Sequence, residues 1–471
     1  MTHAVYTFII AVMDKLNFND KKHIHFIGIG GISMSGLAEL MLKNGFTVSG
    51  SDSGQSSITE NLSSLGARIF YPQAAGNITD DVDMAVYTAA IHEDNPELME
   101  VRRRSIPAYT RADFLGAVMM NYSNSIAIAG THGKTTTTGM ISEIMLNTDV
   151  DPTISIGGIL PSIHGNFRCG SNDIFITEAC EYTNSFLSLV PGTGIILNID
   201  ADHLDFFKDL EDIRNSFRKF AGLIPADGNL IINSEIPQLE EFTEGLECRI
   251  FTYGTAPGAD FYPENIRCDE NAHGEFDLCG RDGKVITHIK LSVPGFHNIG
   301  NSIAAFIAAR QAGVEPDRIA EALRGFGGTK RRFENKGSFD GVQVIDDYAH
   351  HPTEIRATLT TAQKTPHKTL WCLFQPHTYS RTKALLKELA GALSLADKVV
   401  LADIFAARET DDLGVSSGLL AEEIKKLGTE AYYLPSFEEI EKFLRENCMH
   451  GDLLITMGAG DVYKIGDALL K

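Results

Sequence analysis

The stretch Ala127-Ile-Ala-Gly-Thr-His-Gly-Lys-Thr-Thr-Thr-Thr138 decides the fold. The β-branched and small residues from Ser125 to Ala129 predict a short strand. The chain then enters a glycine turn and leaves it as a helix. A glycine loop at a helix N-terminus turns several backbone N–H groups towards one point, and the helix dipole favours negative charge there. Lys134 adds a cation able to reach terminal phosphates, and Thr135 offers a hydroxyl to Mg2+. Gly130, Thr131, His132, Gly133, Lys134, Thr135 and Thr136 are therefore the candidate ATP site. Ile128 stands where the longer phosphate-loop form has glycine, so this is the shorter Gly-x-x-Gly-Lys-Thr form. The competing reading is an ordinary glycine turn capping a helix.

Outward from this loop the pattern is strand, turn, helix, repeated in three α/β units, which predicts parallel sheets. The expected domains are 1–122, 123–329 and 330–471, with Rossmann-like first and last domains around a phosphate-loop ATPase domain. The first unit opens with the strand His23–Ile27, then Gly28-Ile-Gly-Gly31, then a helix from about Ser33 to Asn44. A strand over Thr47–Asp52 follows. The loop matches a dinucleotide fingerprint imperfectly, because Ser33 occupies its third glycine position. It therefore predicts a diphosphate at a helix N-terminus more than it predicts NAD, and a plain tight turn is the other reading. In the second unit, Ile174–Thr177 and Gly194–Asn198 read as strands, and 246–291 as a glycine-punctuated antiparallel insert. Gly325-Phe-Gly-Gly328 reads as a hinge. The third unit has strands at Val342–Ile345, Thr369–Phe374, Lys398–Ala402 and Leu453–Thr456, with one helix expected over Thr382–Leu393.

Several residues could carry chemistry. Glu178 ends an apolar strand beside the phosphate loop, where a carboxylate is a hard Mg2+ ligand. His203, in Asp200-Ala-Asp-His203, could ligate a second cation or orient a water, or be a hydrogen-bonded loop residue. His297 and Asn301 lie four apart at a helix start and share a face suited to a purine, unless Asn298 and its neighbours only cap that helix. The loops Asp346-Asp-Tyr-Ala-His-His-Pro-Thr-Glu354 and Phe374-Gln-Pro-His-Thr-Tyr-Ser-Arg381 leave the carboxyl ends of strands, where open α/β sheets bind ligands.

With 471 residues, 43% hydrophobic and 22% charged, the chain has a globular composition and needs more than one core. A net charge of −21 with no dominant basic patch argues against a nucleic-acid partner. Seven scattered cysteines without a Cys-x-x-Cys pair point to a reducing cytoplasm rather than a disulfide frame. The apolar run Val5–Met13 is too short to span a bilayer and reads as a short helix or tail. No membrane insertion is expected.

Taken in order, these segments resemble the Mur ligase family from about His23 to Asp461. The resemblance rests on His25-Phe-Ile-Gly-Ile-Gly-Gly31, Ser51-Asp52, Thr88-Ala-Ala-Ile-His92, the phosphate loop, Asp202-His-Leu-Asp205, His297-Asn-x-x-Asn301, Arg331-Arg-Phe-Glu334, both carboxy-terminal loops and Gly458-Ala-Gly-Asp461. It is closest to the alanine-adding branch. It implies that the lactyl carboxylate of UDP-N-acetylmuramate attacks the γ-phosphate of ATP, and that the amine of L-alanine then attacks the acyl phosphate, in peptidoglycan precursor synthesis. By motif position it implies that Gly28, Ile29, Gly30, Gly31, Ser51, Asp52 and Thr88 hold the UDP-sugar. It places adenine at His297 and Asn301, with Asp346 near the nucleotide. Arg331 or Arg332 would hold the transferred phosphate, and Lys134, Glu178 and His203 would act at the reacting centre, with Mg2+ on Thr135, Glu178 and His203. Tyr348, His350, His377 and Arg381 would bind L-alanine and the reacting carboxylate. The sequence departs from the family at Ser33 and at Glu178-Ala-Cys-Glu-Tyr182, which replaces a more acidic version. Some sister ligases use a carbamylated lysine; Lys219 reads here as an exposed helix residue. A sister branch that joins a tripeptide to the same sugar is the nearest alternative. An NAD-dependent dehydrogenase or nucleotide-sensing binder is the alternative from another class. The chain is expected to act as a monomer or homodimer.

Overall fold

The computed structural model describes residues 15–88, 90–407, 409–410 and 412–471, so the Val5–Met13 segment and Ala89 lie outside the described residues. The chain forms two compact units. One holds the described residues up to Ile199 with Arg214–Thr252 and Ala304–Arg318; the other holds Asp200–Ile213, Tyr253–Ile303 and Ile319–Lys471.

The first unit begins with a parallel sheet of β1 (His23–Ile27), β2 (Thr47–Ser51), β3 (Arg68–Phe70), β4 (Met84–Tyr87) and β5 (Ala108–Thr110), in the order β3-β2-β1-β4-β5. Strand order reverses between β1 and β4, so a crevice opens at their carboxyl ends. The glycine loop follows β1, and Thr88 follows β4. Every residue of β1 is buried, which suits a central parallel strand covered on both faces.

The same unit carries β6 (Asn124–Ala129), β7 (Thr153–Leu160), β8 (Gly165–Arg168), β9 (Ile174–Glu178), β10 (Thr193–Ile196), β11 (Asn229–Asn233) and β12 (Arg249–Tyr253), ordered β12-β11-β10-β6-β9-β7-β8. β6 lies between β10 and β9, both parallel to it. The phosphate loop after β6 is therefore flanked by the ends of β9, at Glu178, and β10. The β7–β8 hairpin is not legible in the sequence, because Gly157-Gly158 inside β7 reads as a turn.

The second unit contains the antiparallel run β13 (Phe261–Cys268), β14 (His273–Gly280) and β15 (Val285–Pro294), as the insert predicts. Its larger sheet has β16 (Glu334–Phe339), β17 (Val342–Asp347), β18 (Leu370–Phe374), β19 (Lys398–Leu401), β20 (Glu430–Tyr433) and β21 (Leu453–Met457), ordered β16-β17-β21-β18-β19-β20. Strand alternation splits its core in two. Cys372 and Phe374 join one buried cluster, and Trp371 and Leu373 the other. β21 lies between β17 and β18, so the two His-rich loops flank its carboxyl end.

The helix expected over Thr382–Leu393 is two helices, Tyr379–Ala384 and Leu386–Leu393. Thr378 caps the first by accepting from Arg381 N, which starts it early. Leu385, at φ −114° and ψ 23°, then breaks the ladder with no glycine or proline to announce it.

Candidate active site

In the phosphate loop, Gly130 has φ +142°, and a Cβ there would come within 2.9 Å of Leu197 Cβ. Only glycine lets the loop lie this close to the end of β10. Asn198 then ties the loop down. Its backbone oxygen accepts from Thr131 N at 3.2 Å. Its side chain accepts from His132 N at 2.8 Å and donates to His132 O at 2.9 Å. Gly133 (φ +87°) precedes the helix Lys134–Leu146 and offers no side-chain cap. A helix start without a side-chain cap is the arrangement that the anion-binding reading of the loop requires.

Lys134 Nζ donates to Gly130 O (2.5 Å), to Thr131 O (3.1 Å) and to both oxygens of Glu181 (2.9 and 3.2 Å). Burial works against its charge, but Glu181, Cys180 and Glu178 outweigh that and hold the ammonium above its ordinary value. Glu181, only 2% exposed, is a residue that the sequence reading did not single out. Glu178 ends β9 opposite Ile128 and accepts from Gly157 N at 2.6 Å.

The Gly28–Gly31 loop commits its amides internally. Gly28 N and Ile29 N both donate to Ser51 O at 2.9 Å, Gly30 N to Asp52 Oδ2 at 2.8 Å, and Gly31 N to Gly28 O at 3.2 Å. The helix that follows begins at Ile32 and has no side-chain cap. A Cβ on Gly28 (φ +82°) would lie 3.0 Å from Thr88 Cγ2, so the two sides of the crevice meet there. Ser51 is itself fixed by Glu97, a wholly buried carboxylate that accepts from Ser51 Oγ at 2.5 Å and Asn77 Nδ2 at 2.6 Å. Burial opposes ionisation of Glu97, but His25, Ser51 and Asn77 together bring its carboxyl below the usual range.

The second unit gathers the other predicted residues. Arg381 donates to Asp202 Oδ1 from Nε (3.2 Å) and Nη2 (2.9 Å), and to His377 Nδ1 from Nη1 at 3.0 Å. Asp202 is 8% exposed. Burial opposes its charge, but Arg381, His203, His350 and His351 hold its carboxyl well below the usual carboxylate range. His377 stacks on Phe405 at 5.7 Å and meets the His350 ring edge-on at 5.7 Å. Burial, with the cations around it, lowers His377 to about 4, so it is neutral at pH 7. His203, at φ +54°, donates its N–H to Asp202 Oδ1 at 2.7 Å.

Arg331 donates to Asp346 Oδ2 (3.0 Å) and Gly458 O (2.6 Å), and its guanidinium lies over both Tyr348 and Tyr463. Asp346, 1% exposed, also accepts from Thr456 Oγ1 at 2.7 Å, and burial raises its carboxyl. Arg332 lies over the Tyr348 ring at 5.3 Å. Asp347 accepts from Phe333 N, Ala349 N and Thr358 Oγ1, and burial pushes it up to about 6. Asn301 is buried and donates to Asn298 Oδ1, while His297 is exposed and lines a cavity of 230 Å³ with Phe296, Thr361, Arg356 and Lys364. Asn298 donates to Pro294 O, so it steadies the helix start. Lys219 is exposed in the helix Leu210–Ala221.

The structure thus brings Lys134, Thr135 and Glu178 together in one unit. It brings His203, Asp346, Tyr348, His350, His377, Arg331, Arg332 and Arg381 into the other. A helix without a side-chain cap behind a glycine loop, a half-buried lysine and a carboxylate on the next strand define an α/β enzyme that binds nucleotide phosphates. The family models agree with this class: "Mur ligase family, catalytic domain" matches residues 23–123, "Mur ligase middle domain" 128–309, and "Mur ligase, glutamate ligase domain" 331–460. The chain belongs to the Mur ligase family. It is 56% identical over 460 residues to a UDP-N-acetylmuramate–L-alanine ligase of Lachnospira eligens, covering 98% of this chain and all of the relative. It is 57% identical over 459 residues to the protein of the same name from Agathobacter rectalis, again over 98% and 100%. Among solved structures it is similar to the UDP-N-acetylmuramate-alanine ligase of Thermotoga maritima, at 31% identity and a TM-score of 0.77, covering 95% of this chain and 98% of that one. Membership of a ligase family removes the dehydrogenase reading of the first glycine loop. Among the described residues, no helix is long and apolar enough to cross a membrane.

Proposed function

We infer that this chain is an ATP-dependent ligase that joins L-alanine to the lactyl carboxylate of UDP-N-acetylmuramate through an acyl phosphate. The reaction belongs to peptidoglycan precursor synthesis, in the cytoplasm where ATP and nucleotide sugars are held. Full-length identity above 55% to relatives of that name carries the reading. The residues suit the chemistry. Phosphoryl transfer needs positioning and charge neutralisation more than covalent catalysis. Lys134 and the first-turn amides of its helix would hold the β- and γ-phosphates. The Thr135 hydroxyl and Glu178 carboxylate are hard oxygen donors of the kind Mg2+ prefers, and His203 is a further candidate ligand. When bound, the ion would neutralise charge on the phosphate oxygens. Arg331 or Arg332 would hold the transferred phosphoryl group, and the cavity beside His297 offers room for the adenine ring. The helix at Ile32, with Ser51, Asp52 and Thr88, would take the UDP portion. Tyr348, His350, His377 and Arg381 would orient the amino acid. The bounds of the family models, 23–123, 128–309 and 331–460, support a 1–122, 123–329, 330–471 division of these tasks.

The test is phosphate release by the purified protein with MgATP, UDP-N-acetylmuramate and L-alanine, omitting each in turn. Release that requires all three is expected. Release that requires a tripeptide in place of L-alanine would move the protein to the tripeptide-adding branch.

A further inference from the structure

The protonation states of the two histidines near Arg381 follow from their neighbours. His350 Nδ1 lies 3.0 Å from the backbone oxygen of Tyr348 and 3.5 Å from Glu354 Oε2. A carbonyl oxygen and a carboxylate only accept, so Nδ1 keeps its hydrogen. The lone pair of the neutral ring is then on Nε2. Glu354 is well placed to enforce this. Its Oε2 also accepts the backbone N–H groups of His350 (3.1 Å) and His351 (3.4 Å), at the start of the helix Pro352–Lys364. Edge-on contacts with Tyr348 (5.5 Å) and His377 (5.7 Å) fix the ring plane. His377 has the opposite tautomer. Its Nδ1 accepts from Arg381, which has no lone pair to offer, so its hydrogen is on Nε2. The adjoining rings therefore present one acceptor nitrogen and one donor nitrogen.

An amino acid that must form an amide needs this combination. Its ammonium has to lose a proton, and its oxygens have to be held. We propose that His350 is the general base of amide formation, receiving at Nε2 a proton from the ammonium of the incoming amino acid. This rests on the ligase reading above. In the balanced step, one ammonium proton passes to Nε2, giving an imidazolium that Glu354 stabilises. The freed nitrogen lone pair forms the C–N bond at the acyl carbon. The bond from that carbon to the phosphate oxygen breaks, and phosphate leaves with the electron pair and the second nitrogen proton. The charged and titratable groups facing His350 are Glu354 on the helix that follows it, Tyr348 on the same loop, Arg381 and His377 from the next loop, and Asp202 from the 200–213 segment. Burial foremost, with Arg381, lowers the imidazole below its ordinary value against the pull of Glu354 and Asp202, so the base is ready at neutral pH.

The experiment compares two nucleophiles in full-length His350→Gln with MgATP and UDP-N-acetylmuramate. Hydroxylamine is unprotonated at neutral pH and traps an acyl phosphate without help from a base; L-alanine is not. Amide formation with L-alanine is expected to fall by about 10²- to 10⁴-fold, the usual worth of a general base, while hydroxamate formation falls far less. Equal loss with both nucleophiles, or undiminished use of L-alanine, overturns the proposal. Absence of hydroxamate from the wild-type protein would instead refute the ligase reading itself. Nitrogen NMR of the wild-type histidines tests the proposal even if the variant does not fold. The neutral His350 ring is expected to carry its hydrogen on Nδ1 and to titrate below the ordinary imidazole value; a hydrogen on Nε2 overturns the proposal.

Discussion

Lys134→Met tests the electrostatics of the phosphate loop. Methionine fills a similar volume but cannot neutralise Glu181, whose oxygens lie 2.9 and 3.2 Å from Nζ and whose carboxylate is 2% exposed. Removing one partner of a buried pair leaves an uncompensated charge and costs about 3–5 kcal/mol. For a cooperative unit of some 250 residues, that corresponds to a fall in Tm of about 6–20 °C. Adding Glu181→Gln removes the stranded charge, so the double variant should melt well above the single one. Phosphate release should be absent from both, because each lacks the cation for the γ-phosphate. The reasoning fails if the single variant melts within about 2 °C of wild type, or if the double variant melts lower still.

Arg381→Ala removes the donor to His377 Nδ1 and both bonds to Asp202. Loss of hydrogen bonds to charged groups, about 1.5–3 kcal/mol, should raise the KM for L-alanine roughly 10- to 100-fold while leaving the Kd for ATP unchanged, by steady-state kinetics and calorimetric titration. A collapse of ATP affinity alone would refute that placement. Asp347 yields a pH prediction. Its carboxyl is raised from 3.8 to about 6, so its contribution to stability is complete below the unfolded value and is lost as pH rises through about 6. Between those limits the stability of wild type relative to Asp347→Asn should decline by about 3 kcal/mol, read from denaturant midpoints; a difference that stays flat with pH would refute it.

Much of the site was legible because its positions demand particular residue types. Gly130 must be glycine to approach Leu197, and the His, Tyr and Arg residues of the two late loops follow strands whose apolar runs are plain. The counter-ions were not legible. Glu181, Asp202 and Glu354 stand inside quoted motifs, but only their contacts with Lys134, Arg381 and His350 show which charge each one balances. The amide pattern of Gly28–Gly31 was equally hidden, since a glycine motif does not reveal whether its N–H groups face a ligand or the neighbouring strand. The break at Leu385 and the β7–β8 hairpin depend on tertiary packing that overrides local propensity.

The internal bonding of the Gly28–Gly31 loop has a kinetic consequence. With its amides already held by Ser51 and Asp52, and Ser51 in turn by Glu97, the loop has its final shape before any nucleotide sugar arrives. Capture then requires little ordering of the chain, so encounter should be fast and substrate changes should register mainly in residence time. The same stiffness narrows the range of ligands. In the proposed UDP-sugar site, a diphosphate that does not fit the first turn of the helix at Ile32 could not recruit the loop amides to compensate.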